Sequence, residues 1–306
     1  MVLAEQLVKR YKNGKSSLTA VKGISFKAAE GELFGLIGPD GAGKTSIFRI
    51  LTTLLLPDGG RAEVDGSDVV KDFLEIRKKI GYMPGRFSLY QDLTVEENLQ
   101  FFATIFGTSI QENYNLIRDI YIQIEPFKQR KAGQLSGGMK QKLALCCALI
   151  HRPRVLFLDE PTTGVDAVSR KEFWDMLQQL KASGICILVS TPYMDEASRC
   201  DLVALIQEGS LLSMGTPDQV RKEFNEPLVA VKGSEKYSLL GVLEQCPGIE
   251  QAYSFGEYHH AILKKDFSEG KLQHYLVEKG MKEVEVRSTS PTIEDCFLKL
   301  MQHGKE

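Results

Sequence analysis

The chain has 306 residues, enough for one large domain and a small one. Hydrophobic residues make up 43% and charged residues 25%, an ordinary balance for a globular protein that argues against disorder. A net charge of −2 and a pI near 6.3 lack the basic excess that a nucleic-acid surface normally needs.

In chain order, residues 2–9 and 18–27 read as strands of a small antiparallel unit, joined by the polar turn Lys12 to Ser17. Met1 to Tyr11 lacks the apolar core of a signal peptide. Leu33 to Ile37 is an apolar run that reads as a buried strand, and Ser46 to Leu56 carries the apolar spacing of a helix. Between them stands Gly38-Pro39-Asp40-Gly41-Ala42-Gly43-Lys44-Thr45. Strand, glycine-rich loop and helix together turn this pattern into a phosphate site. The glycines let successive N–H groups turn onto phosphate oxygens, aided by the positive end of the following helix. Lys44 then reaches the terminal phosphates, and the Thr45 hydroxyl faces a magnesium ion. A nucleoside triphosphate is the ligand this stretch predicts.

Pro57-Asp58-Gly59-Gly60 reads as a turn, with strands at Arg61 to Val64 and Ile80 to Met83. Beyond Gly85 the chain becomes helical. Thr94 and Glu97 form a capping box, and Val95, Leu99, Phe102 and Phe106 share one helical face. Tyr114 to Ile124 offers a shorter helix, and the insert ends near Gln134 after the basic run Lys128 to Lys131. A helix follows from Leu135-Ser136-Gly137-Gly138 through Ile150. Next come a strand at Val155 to Leu158, a helix at about Asp166 to Lys181, and strands at Ile185 to Val189 and Leu202 to Ile206. This alternation predicts an α/β fold with a mostly parallel core sheet.

A boundary is expected at Glu226-Pro227. The remainder reads strand (228–231), helix (236–245), strand (249–255), strand (258–264), helix (267–279), strand (283–286), the ferredoxin-like βαββαβ order. A last helix begins at Ser290-Pro291, with Ser290 as its expected cap. His259 and His260 fall on a strand, where they point to opposite faces; an exposed position is expected over a metal site. Six cysteines, at 146, 147, 186, 200, 246 and 296, lack zinc spacing and read as reduced core residues. No apolar run approaches the ~20 residues of a membrane span, so any membrane role needs a partner.

Asp159 and Glu160 follow four apolar residues where a buried strand emerges toward the phosphate loop. An aspartate there can hold magnesium, and the glutamate beside it can polarise an attacking water. Ser136, Gly137 and Gly138 open a helix and so form a second anion site.

Leu135-Ser136-Gly137-Gly138-Met139-Lys140-Gln141 resembles the signature of ATP-binding cassette (ABC) transporter nucleotide-binding subunits. The resemblance covers residues 1 to about 225. It rests on the ordered set of phosphate loop, signature and Leu158-Asp159-Glu160-Pro161, followed by Thr163-Gly164-Val165-Asp166. It implies a P-loop ABC ATPase core with an antiparallel β subdomain and a helical subdomain at about 86–150, plus the small α+β domain at 227–306. It also implies Tyr11 stacked on adenine, ATP held by residues 38–46 including Ser46, and magnesium held by Thr45 and Asp159. Lys44 and Glu160 take the catalytic roles. Ser136, Gly137 and Gly138 would face the ATP of an opposite subunit, with Asp166 in the dimer-interface loop. Ser290 to Leu298 resembles the closing motif of ABC-2-type exporter ATPases, including the drug-resistance branch, although Cys296 departs from the usual aliphatic residue. The implied partners are ABC-2-type permease subunits and a second ATPase subunit, identical or different, with no nucleic acid. The implied place is the cytoplasmic face of the cell membrane.

Two departures stand out. Gly85 occupies the position of a family glutamine, and Pro192 that of a histidine that donates to the γ-phosphate. Neither residue offers a side-chain donor. A degenerate site is expected, one that binds ATP and hydrolyses it slowly. Ribosome- or DNA-directed cassettes need a second cassette or long coiled coils that this length does not hold. A non-hydrolysing nucleotide sensor stays open as an alternative.

Overall fold

The computed structural model describes residues 1–14 and 16–303. Backbone packing divides the chain into two compact units, one of Met1–Pro217 plus the chain from Leu300, the other Asp218–Lys299. The first unit opens with β1 (Val2–Asn13), β2 (Ser16–Ala28), β3 (Leu33–Ile37), α1 (Lys44–Leu51), β4 (Gly59–Val64), β5 (Ser67–Asp68), α2 (Phe73–Lys79) and β6 (Ile80–Met83). It continues with α3 (Val95–Ile105), α4 (Ile110–Tyr121), α5 (Gly137–Leu149), β7 (Val155–Asp159), α6 (Ala167–Ala182), β8 (Cys186–Thr191), β9 (Leu202–Gln207) and β10 (Ser210–Gly215).

Six of these strands form the central sheet in the order β10-β9-β3-β8-β7-β6, parallel except at the β10–β9 edge. Every residue of β3, β7 and β8 is buried, as strands covered on both faces must be. A second, antiparallel sheet runs β2-β1-β4-β5. The core between the sheets centres on α1. Phe48 meets Phe157 edge to face at 5.7 Å, and Phe34 stacks on Phe26 at 5.0 Å. The parallel order brings the C-terminal ends of β3, β7 and β8 side by side, which is where the glycine-rich loop from Gly38 begins.

The expected turn from Lys12 to Ser17 includes Lys15, which lies outside the described residues. Helix α1 is shorter than its apolar pattern implies. Thr52 donates its hydroxyl to the Phe48 carbonyl at 2.8 Å, Thr53 turns left-handed (φ 62°), and the N–H groups of Leu54 and Leu55 both return to the Arg49 carbonyl. Leu54 and Leu56, within the stretch read as helix, lie beyond the end of α1 and are exposed. Helix α4 starts before Tyr114, at Ile110, because Ser109 and Glu112 form a capping box like that of Thr94 and Glu97. Strands β5 and β10 and helix α2 were not legible in the sequence.

The second unit begins with most of α7 (Pro217–Lys222), then β11 (Leu228–Lys232), α8 (Lys236–Glu244), β12 (Ile249–Phe255), β13 (Tyr258–Leu263), α9 (Glu269–Glu278), β14 (Glu285–Ser288) and α10 (Ile293–His303) as far as Lys299. Its antiparallel sheet runs β12-β13-β11-β14, the strand order of a ferredoxin-like unit. Val229, Val231, Ala261 and Leu263 pack against Leu239, Leu243, Leu272 and Leu276. Lys299 of α10 pairs with Glu226, so the expected boundary at Glu226-Pro227 falls inside this unit.

Two expectations are overturned here. Helix α10 is capped by Thr292, not Ser290. Thr292 Oγ1 accepts from the Asp295 N–H at 3.3 Å, and Asp295 Oδ2 accepts from the Thr292 N–H at 2.7 Å. His259 and His260 do point to opposite faces of β13, but both are buried, 1% and 5% exposed. β13 is an interior strand, and each face has a partner. His259 Nε2 bonds the Lys236 carbonyl of α8 at 2.8 Å, and His260 Nδ1 bonds Asp295 of α10 at 2.6 Å. No group of three His, Cys, Asp or Glu among the described residues is placed to hold a metal ion. Among them, no helix is long and apolar enough to cross a membrane. All six cysteines are buried and unpaired.

Candidate nucleotide site

The loop Gly38 to Thr45 leaves the buried end of β3 and runs into α1. Gly43 takes φ 102°, and a Cβ there would lie 2.3 Å from the Ala20 carbonyl, so no other residue fits. Lys44 opens the helix almost fully buried. Its ammonium donates to the carbonyls of Gly38 (2.7 Å) and Pro39 (2.9 Å) and lies 3.3 Å from Glu160 Oε1. Burying a cation this deeply requires partners, and these three supply them. Thr45 Oγ1 donates to Asp159 Oδ1 at 3.3 Å. Asp159, 2% exposed at the end of β7, also accepts the Ser190 hydroxyl at 2.5 Å.

Glu160 follows in a left-handed backbone conformation, φ 50°, which costs a non-glycine residue strain. Its N–H is held by both the carbonyl and the hydroxyl oxygen of Ser190, each at 3.0 Å. The carboxylates of Asp159 and Glu160 thereby take separate posts, one toward Thr45 and one toward Lys44. Tyr11 is partly exposed, and its hydroxyl meets the hydroxyl of Ser46, in the first turn of α1, at 3.0 Å. Pro39, Asp40, Gly41 and Ala42 complete the loop, its first N–H (Gly38) bonded to the Thr191 carbonyl at 3.2 Å.

The remaining candidates form a separate cluster. Ser136 caps α5, its hydroxyl accepting from the Met139 N–H, and Ser136 and Gly137 are exposed at the helix start. Gly138 lies against Ser169, where a Cβ would come within 2.7 Å of the hydroxyl. Asp166 caps α6, accepting from the N–H groups of Val168 (3.1 Å) and Ser169 (3.0 Å). Those bonds, the Ser169 N–H first, hold its carboxyl below the usual range.

The two departures lie beside the strand ends. The Cα of Gly85 faces the strand end so closely that a Cβ would lie 3.0 Å from the Asp159 carbonyl and 3.7 Å from Glu160 Cβ. Pro192 follows Thr191, the residue paired with Ile37 at the root of the phosphate loop. Gly85 also borders a mainly apolar cleft of about 390 Å³ between the β6 edge and the helical subdomain, with Tyr82, Phe87, Phe102, Phe106 and His151 in its walls. Burial, with the Asp159 charge second, pushes the Tyr82 phenol up to about 12. Ser190, Thr191, Thr162 and Glu196, which the sequence reading did not single out, are all buried around the strand ends. For Ser190 and Thr191 the signal was a Ser-Thr pair closing an otherwise apolar strand; no local pattern marked Thr162 or Glu196.

The family model described as "ABC transporter" matches residues 21–163. A probable multidrug ABC transporter ATP-binding protein of Escherichia coli is 40% identical over 276 residues, covering 89% of this chain; the chain spans about half that relative's length, 47%. A Nod factor export ATP-binding protein of a Rhizobium species is 34% identical over 92% of this chain and 91% of its own. A daunorubicin resistance ATP-binding protein of Streptomyces coeruleorubidus is 31% identical over the whole of this chain and 96% of its own. Among solved structures, an ATP-binding subunit of an ABC transporter aligns with TM-score 0.66 at 27% identity, covering 73% of this chain and 93% of that one. A dimeric post-hydrolysis cassette bound to ADP and phosphate aligns with TM-score 0.65 at 25% identity, covering 71% and 98%.

Proposed function

The chain belongs to the ABC transporter family, and from that premise we propose that it is the ATP-binding subunit of an ABC-2-type exporter, working with separate membrane subunits. The observation that carries the reading is the convergence of Lys44, Thr45, Asp159 and Glu160 at the ends of β3 and β7.

ATP enters with its phosphates against the N–H groups of Gly38 to Thr45 and the Lys44 ammonium. Lys44 exchanges its contacts with Gly38, Pro39 and Glu160 for phosphate oxygens, which frees the Glu160 carboxylate to polarise water. Thr45 and Asp159 supply two hard oxygens suited to magnesium, which would neutralise the phosphates; such ions take few protein ligands and keep several waters. The Tyr11 ring stacks on the adenine. Ser136, Gly137 and Gly138 present a second anion site outward, toward the ATP of an opposing subunit, with Asp166 at the same interface.

Hydrolysis is slow in this site because Gly85 and Pro192 bring no donor to the transition state. Losing one pre-organised donor typically costs on the order of 10²–10³ in rate. The intact signature can still complete a competent site on a different ATPase subunit, so a heterodimer is favoured over a homodimer. The apolar cleft beside Gly85 is the surface offered to cytoplasmic helices of the permease, which holds the subunit at the inner face of the membrane. Gly85 and Pro192 also favour a second reading, a nucleotide sensor that does not hydrolyse. Nucleotide binding and ATPase measurements on the purified chain, with and without a co-purified membrane protein or second ATPase, separate the readings. Binding with partner-dependent turnover supports the exporter, and no turnover under any condition supports the sensor.

A further inference from the structure

Glu196 is a buried carboxylate, 3% exposed, that lies outside every motif described above. Its two oxygens take different partners. Thr162 donates its hydroxyl to Oε1 at 2.8 Å, and Thr191 donates to Oε2 at 2.5 Å. Arg170 of α6 stands 3.8 Å from Oε1, its guanidinium stacked over the Tyr193 ring, so the carboxylate is paired in charge as well. Thr162 and Thr191 are themselves fully buried.

Thr162 lies two residues after Glu160, with Pro161 between them. Thr191 directly follows Ser190, whose carbonyl and hydroxyl hold the Glu160 N–H. Thr191 also accepts from the Tyr193 N–H at 3.0 Å and so sets the path of the chain through Pro192. The left-handed backbone at Glu160 is therefore gripped on both sides, at its own N–H by Ser190 and two residues on by Thr162. A strained conformation persists only where the surroundings over-determine it. The two grips meet on one side chain, Glu196.

Resting on the ATPase reading above, we propose that Glu196 is a positioning residue for hydrolysis. Its carboxylate clamps the 160–163 and 190–193 loops together and so holds Glu160 in its strained, working conformation. The polar partners of the Glu196 carboxylate are Thr162, Thr191 and Arg170. It acts through Thr162 and Thr191, and the clamp acts on hydrolysis rather than on nucleotide binding.

The test uses the full chain with Thr162→Val, which keeps the shape and removes the hydroxyl, Thr162→Ser, which restores it, and Glu196→Gln. Amide hydrogen exchange is followed at Glu160 and Thr163 against the strand interiors of β3 and β7. Beside it run ATP binding and single-turnover hydrolysis. Thr162→Val and Glu196→Gln should speed exchange at Glu160 about tenfold with the strand interiors unmoved. They should slow single-turnover hydrolysis about tenfold while ATP affinity stays within about twofold. Thr162→Ser should return each value toward that of the unmodified chain. Unchanged exchange at Glu160, a uniform rise across the strands, or a Thr162→Ser variant as impaired as Thr162→Val overturns the clamp. Failure of the unmodified chain to bind ATP would instead count against the ATPase reading, and the exchange result would still decide the clamp.

Discussion

The Lys44 ammonium and the Glu160 carboxylate form one ion pair, 3.3 Å apart, with Lys44 at the start of α1 and Glu160 just beyond the end of β7. On the proposed function, the residue that would grip phosphate and the residue that would polarise water are thus partners of each other. Lys44→Ala removes a charge-assisted donor, worth roughly 1.5–3 kcal/mol, so ATP affinity should fall about ten- to a hundredfold. Glu160→Gln leaves the donors in place, so binding should persist while turnover falls on the order of a hundredfold or more. Titration with a fluorescent ATP analogue, alongside phosphate release, reads both. Equal loss of binding in the two variants would contradict this division of labour.

Tyr11 should carry part of the affinity for the base. Stacking of an aromatic side chain on a base is worth about 1–3 kcal/mol, so Tyr11→Ala should weaken ATP binding roughly five- to a hundredfold. Tyr11→Phe keeps the ring and loses only the contact with Ser46, so its affinity should change little. Comparing ATP with inorganic triphosphate in both variants isolates the base, since triphosphate binding should not notice Tyr11.

The second unit should be acid-sensitive through Asp295. Burial alone would raise its carboxyl. The hydrogen bonds from His260, Thr292 and Tyr253 outweigh that and leave it below the usual value. A depressed folded-state pKa contributes stability above the unfolded value of about 3.9, and that stability is lost as pH falls through the folded value. Acid unfolding of the second unit should therefore steepen below about pH 4. Asp295→Asn should flatten that limb and lower stability at neutral pH, followed by tryptophan-independent far-UV signal and by exchange in β13.

The cysteines should be inert in the native chain. All six are buried; burial pushes the Cys186 thiol up to about 12 and that of Cys296 to about 11, and raises Cys146, Cys147 and Cys200 as well. A thiol reagent at neutral pH should label close to none before unfolding and all six after it. Rapid labelling of Cys296 in the folded chain would show α10 opening from the sheet.

Local chemistry was legible in the residues and tertiary cover was not. The strand, glycine-rich loop and helix from Leu33 to Leu51 were legible because glycine, lysine and threonine stand at fixed short spacing between two apolar runs. The ferredoxin-like order followed from alternation alone. The end of α1 was misread because Leu54 and Leu56 prolong an apolar pattern while standing in solvent. His259 and His260 were misplaced because only the packed fold puts α8 on one face of β13 and α10 on the other. The Thr162–Glu196 hydrogen bond joins residues 34 positions apart, a distance over which no periodicity speaks.

Steady-state ATP hydrolysis by the purified chain, measured beside its Pro192→His variant, bears most directly on a site that binds well and turns over slowly. Gly85→Gln is the companion variant, and it needs a shift of a few tenths of an ångström at the Asp159 carbonyl. The unmodified chain should bind ATP and hydrolyse it feebly, and restoring the imidazole donor should raise the rate at least about tenfold. Vigorous turnover by the unmodified chain alone, on the order of 1 s⁻¹ or faster, would contradict the account.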